Sequence, residues 1–114
     1  MFNDLKSLVI KSQVLYKDAF IKDILNICSP RLFILTGSFV NRPDVGVDVF
    51  IVGRVAREKL KVAIRNLEKA IDREVNFTLM EPAEFKYRRE IADMFLYSIL
   101  DGEKIMVVDE IGLS

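Results

Sequence analysis

Apolar residues along the chain fall into two rhythms, helical stripes and short continuous runs, with polar stretches between them. From Asn3 to about Gln13, Leu5, Leu8 and Val9 recur at helical spacing behind an Asn3 cap. Tyr16 to about Cys28 predicts a second helix, in which Phe20, Ile21, Ile24, Leu25 and Cys28 share one face and Ser29-Pro30 stops the run. Leu32 to Leu35 is wholly apolar, as expected of a strand covered on both sides. The stretch 36–46 is polar and punctuated by Gly37, Pro43 and Gly46. Residues 47–52 then form a β-branched strand that Gly53 ends, with Asp48 near its start. The strongest helical pattern covers residues 57–72, where Leu60, Ala63, Ile64, Leu67 and Ile71 face one way. Residues 75–80 alternate like a strand. Pro82 fits a first helical turn, residues 83–100 read as helix with a break near Glu90, and Ile105 to Val108 is a last strand after an Asp101-Gly102 turn.

This order predicts an α/β (α+β) chain with a mixed four-stranded sheet near residues 32–35, 47–52, 75–80 and 104–108. The tight loop between the first two strands calls for an antiparallel pair, and the later helices call for crossovers. No repeat or composition shift divides the 114 residues, so one domain is expected, with N-terminal helices in 1–28 and a core in 31–114.

Composition removes several kinds of chemistry. There is no histidine and one cysteine, which excludes His-assisted nucleophiles, thiolate zinc clusters and CxxC redox motifs. Lys plus Arg (17) equals Asp plus Glu (17), so no net field attracts nucleic acid or an anionic membrane. The absence of a long apolar run or signal-like leader, together with the solitary Cys28, predicts a cytoplasmic protein with no membrane contact.

Gly37-Ser38 closes an apolar strand, and a polar loop leads to a second apolar strand bearing Asp48. This arrangement resembles the nucleotidyltransferase signature, Gly-Ser followed by a loop and a D-x-D strand. Further blocks are similar to one bacterial and archaeal branch of that family, often fused to winged-helix transcriptional regulators. They are Leu8-Val9-Ile10-Lys11, residues 73–78, Pro82-Ala83-Glu84-Phe85, Phe95-Leu96 and residues 100–105. The resemblance implies a nucleotidyltransferase-like fold with Gly37 and Ser38 at a nucleotide's phosphates and Asp48 at a divalent metal. Two-metal phosphoryl transfer needs clustered carboxylates because Mg²⁺ takes hard oxygen ligands.

Departures from that pattern shape the functional expectation. Aligned either way, the D-x-D pair keeps one carboxylate, with Gly46 or Phe50 in the other place. The third-carboxylate position reads as Asn76, and Asn41-Arg42 stands where Arg-Gly usually follows Gly-Ser. The resemblance therefore implies a pseudoenzyme: a noncatalytic regulatory or binding module with no cofactor, related to transcriptional regulators. A homodimer through Leu5, Leu8 and Val9 is expected, or a protein partner such as a winged-helix regulator, with nucleic acid engaged only indirectly. The alternative is an active, Mg²⁺-dependent, antitoxin-like enzyme that transfers a nucleotidyl group to a protein, using Asp48 with Asp44 or Glu74.

Blander readings stand beside these. Asp48 is either a remnant metal ligand or a strand-end cap on a neighbouring amide. Asp44 reads as part of a turn, and Gly37-Ser38 also suits a plain strand-ending turn. Arg54, Arg57, Lys61 and Arg65 read as a solvated helix face, interrupted by Glu58, Glu68 and Asp72. Lys86, Arg88 and Arg89 interleave with Phe85 and Tyr87, and the expectation is aromatic rings packed inward with charges outward.

Overall fold

The computed structural model describes residues 16–42 and 45–111. The helix expected at 3–13, with Leu5, Leu8 and Val9, lies outside them. In the described part of the chain, residues 16–27 are helical (α1), and the amide of Cys28 still donates to the Ile24 carbonyl at 3.1 Å. The elements that follow are β1 (Leu32–Leu35), a 3₁₀ turn (Gly37–Val40), β2 (Val49–Val52), α2 (Arg57–Ile71), β3 (Phe77–Met80), α3 (Pro82–Glu90), α4 (Met94–Leu100) and β4 (Ile105–Asp109).

The four strands form one mixed sheet in the order β3-β2-β1-β4. β1 is antiparallel to both β2 and β4, whereas β2 and β3 are parallel and joined through α2. A chain that must return to the same end of the sheet needs such a crossover. Alternation along the two central strands sorts their side chains to opposite faces. Phe33, Leu35, Val49 and Ile51 pack with Phe20 and Ile24 of α1 and with Leu60, Ile64 and Leu67 of α2. Leu32, Ile34, Phe50 and Val52 pack with Phe85 of α3 and with Leu96 and Ile99 of α4. Helices therefore cover both faces, which is why β1 and β2 are apolar at every position. A register shift between Phe33 and Ile34 leaves Val107 without its own partner on β1, and Val107 and Val108 both pack on the α1–α2 side.

Two strands are shorter than the pattern predicted, β2 beginning at Val49 and β3 at Phe77. The amide of Val75 donates to the Glu68 carboxylate at 2.8 Å and that of Asn76 to the Asp48 carboxylate at 2.9 Å. At the entry to β3, side chains thus take the amide hydrogen bonds that a strand ladder would otherwise use, and β3 begins at Phe77. The helix expected over 83–100 breaks near Glu90 as the pattern predicted, at residues 91–93. Ala92 there is left-handed (φ 54°), and Asp93 caps α4 by accepting from the Phe95 amide at 3.0 Å. Among the described residues, no helix is long and apolar enough to cross a membrane.

Cys28 is half-buried against the α1–α2 side; its thiol donates to the Ile24 carbonyl at 3.2 Å, and burial raises its pKa. The thiolate is the reactive form. Labelling of Cys28 by a disulfide reagent near pH 8 is accordingly expected to run several-fold slower than labelling of an exposed thiol. Urea should restore the normal rate, and a native rate equal to the unfolded one would contradict the burial.

Candidate functional site

The turn after β1, the start of β2 and the entry to β3 meet at one end of the sheet. Gly37 opens the 3₁₀ turn with φ 59°, and Asn41 closes it in the left-handed region, its amide donating to the Gly37 carbonyl. This tight reversal brings Ser38 against Asp48. Both the Ser38 amide (2.9 Å) and the Ser38 hydroxyl (2.6 Å) donate to Asp48 Oδ1, while the Asn76 amide donates to Oδ2 at 2.9 Å. The Asp48 backbone joins the same parts again. Its carbonyl accepts from the Thr36 amide at 2.9 Å, and its amide donates to the Asn76 carbonyl at 2.8 Å.

Asp48 is only 7% exposed, and among the described residues the other buried polar one is Thr36. An ionised carboxylate taken out of water must recover its solvation from donors. Three donors supply it here, and no buried side-chain nitrogen or oxygen among the described residues lacks a partner. Arg42, which the sequence placed only as a departure in the loop, reaches across to the Glu103 carbonyl at 3.3 Å, as does the Thr36 hydroxyl at 3.3 Å. Those two bonds tie the β1 turn to the segment entering β4. Nothing in the spacing announced them, because the partner is a backbone carbonyl far along the chain.

Of the residues singled out from sequence, Gly37, Ser38, Asp48 and Asn76 come together. Glu74 does not join them: it is exposed in the turn after α2, on a hollow it shares with Arg65, Glu68, Lys69 and Asp72. Asp44 lies outside the described residues. Among those described, no three His, Cys, Asp or Glu side chains gather as a metal site would require. Among the described residues, the donor set around Ser38 offers a divalent ion one carboxylate, and N–H and O–H donors hold both of its oxygens.

The basic residues of α3 divide differently from the expectation. Phe85 is buried but Tyr87 is 61% exposed, so only one of the two aromatic rings packs inward. Arg88 pairs with Glu84 and Asp93 at 3.0 and 2.8 Å, which raises its pKa, chiefly through the hydrogen bond it donates to Asp93. Lys86 and Arg89 face a separate hollow at the opposite end of the sheet. The chain matches no family model, no curated protein and no solved structure.

Proposed function

We propose that this chain is a nucleotidyltransferase-like domain that has lost transfer chemistry and serves as a binding or regulatory module. The fold half of the reading is supported by the meeting of Gly37-Ser38, Asp48 and Asn76 at one end of a mixed sheet. That is the order and proximity the signature calls for. The functional half rests on a single observation, the Asp48 carboxylate engaged by Ser38 and Asn76. A group held this way fastens β1, β2 and β3 together, and among the described residues no group of carboxylates stands there to share a cation. Charge development on a transferring phosphoryl group would go unneutralised there.

The test is transfer itself. With Mg²⁺ or Mn²⁺, labelled nucleoside triphosphates and lysate proteins as acceptors, incorporation is expected to stay at background and to be the same for Asp48→Asn. Incorporation that vanishes in Asp48→Asn would instead establish the antitoxin-like enzyme.

A further inference from the structure

The end of the sheet remote from Asp48 carries a second concave surface. Register fixes the separation: Leu35 pairs with Val49 and Ile105 at the Ser38 end, and Leu32 pairs with Val52 and Asp109 at the other. Three strand steps lie between, about 10 Å. At this far end a cavity of about 470 Å³ opens among Arg31 just before β1, helices α3 and α4, and Ile111 beyond β4. That volume is in the range of small-molecule sites. Pro82, Phe85, Tyr97 and Ile111 give it apolar walls, and Phe85 is held by the Phe50 ring beneath it at 6.3 Å between centroids.

Its charged lining is Arg31, Lys86, Arg89 and Glu90, three cations against one carboxylate, a net charge of +2. The chain as a whole has none, with 17 residues of each sign, so the charge is a local concentration. Among the described residues the ion pairs belong to Arg88, and Arg31, Lys86 and Arg89 are in none of them. Arg89 is also positioned: its guanidinium carbon lies 5.8 Å from the centre of the Phe85 ring, and its carbonyl accepts from the Tyr97 hydroxyl at 3.4 Å. An adjoining hollow shares Arg31 and Pro82 and adds Arg54. Beyond it the lining is of mixed charge, with Glu81 and Glu84 in the same hollow as Arg54 and Arg57.

We propose that this cavity binds a small organic phosphate: a phosphate monoester held by Arg31, Lys86 and Arg89, with a ring-sized apolar body against Phe85, Pro82 and Tyr97. A phosphate monoester carries close to two negative charges at neutral pH, which matches the net lining charge. Guanidinium groups suit its oxygens because their paired N–H groups match the spacing of two acceptors. The apolar walls give the body of the ligand a place that free phosphate would leave empty. The carboxylates at Glu81 and Glu84 disfavour an extended nucleic-acid strand, which would need positive charge along its whole path.

Nuclear magnetic resonance titration of the full chain with adenosine monophosphate tests the assignment, with adenosine, inorganic phosphate and a single-stranded oligonucleotide as comparison arms. The expected result is amide shifts at Arg31, Lys86, Arg89, Tyr97 and Ile111. Adenosine monophosphate should bind at least about tenfold more tightly than either of its halves. Arg31→Glu with Lys86→Glu, both exposed side chains, should weaken it about tenfold or more. Glu90→Gln should tighten it, an effect opposite in sign to damage from misfolding. No shift at about 10 mM ligand overturns the proposal, as do shifts centred on Gly37, Ser38 and Asp48. Phosphate binding as well as the monophosphate, or an oligonucleotide binding more tightly than it, also overturns it.

Discussion

Asp48→Ala is expected to lower the free energy of unfolding by about 3–5 kcal/mol, read as a shift of the urea midpoint at unchanged slope. Three hydrogen bonds to one charged group are lost together. Each such bond contributes about 1.5–3 kcal/mol, and bonds that share an acceptor do not add fully. The loss also strands the Ser38 and Asn76 amides where the chain is only partly open to water. Asp48→Asn is expected to cost about 2 kcal/mol, because its amide group sets a donor against either the Ser38 or the Asn76 N–H. The sign carries the inference. Carboxylates kept for metal repel or strain their surroundings when the metal is absent, and neutralising one commonly stabilises the protein. A more stable Asp48→Asn would therefore return Asp48 to catalysis, whereas a less stable one identifies it as the fastener of three strands.

How far the sequence reached depends on whether each feature is local. Helical stripes and apolar runs lie within a dozen residues, so the four strands and the helices within 16–111 are legible from them. The antiparallel β1–β2 pair and the parallel β2–β3 crossover follow from loop length alone. The place of β4 beside β1 does not, since it depends on which edge of a distant strand is left open. The trimmed start of β3 was equally hidden, because Asp48, which accepts from the Asn76 amide, is remote from it in sequence and close only in space. For Asp48 the pattern set metal ligand against amide cap without deciding, as spacing brings Ser38 near but does not say which atoms meet. The hollow at the far end was masked differently. Glu84 and Glu90 made Lys86, Arg88 and Arg89 look balanced, yet Glu84 is taken by Arg88. What remains is joined by Arg31 from before β1 and by Tyr97 from α4.

The second large effect belongs to Gly37. Gly37→Ala is expected to destabilise the fold by about 3–4 kcal/mol, and two separable causes contribute. With φ at 59°, an L-residue pays about 1–2 kcal/mol for the left-handed region itself. The added methyl would also meet the Val47 carbonyl oxygen and, at 2.5 Å, Asp48 Oδ1. Neither atom is the free end of a flexible chain: one is backbone entering β2, and the other is already holding Ser38 and Asn76. Relief of the contact requires β1 and β2 to part at this end, which strips bonds from the same carboxylate. Gly46 isolates the first cause, since its φ is 78° and none of the described residues stands within 4 Å of a methyl placed there. Gly46→Ala should cost only the conformational part, about 1–2 kcal/mol. Urea denaturation of both variants gives the difference directly, and equal losses would mean that the approach of Gly37 to Asp48 contributes nothing. The double change Gly37→Ala with Asp48→Ala tests the contact itself. Because the alanine at 48 removes one of the two obstructing atoms, the combined loss should fall short of the separate losses by about 1 kcal/mol or more.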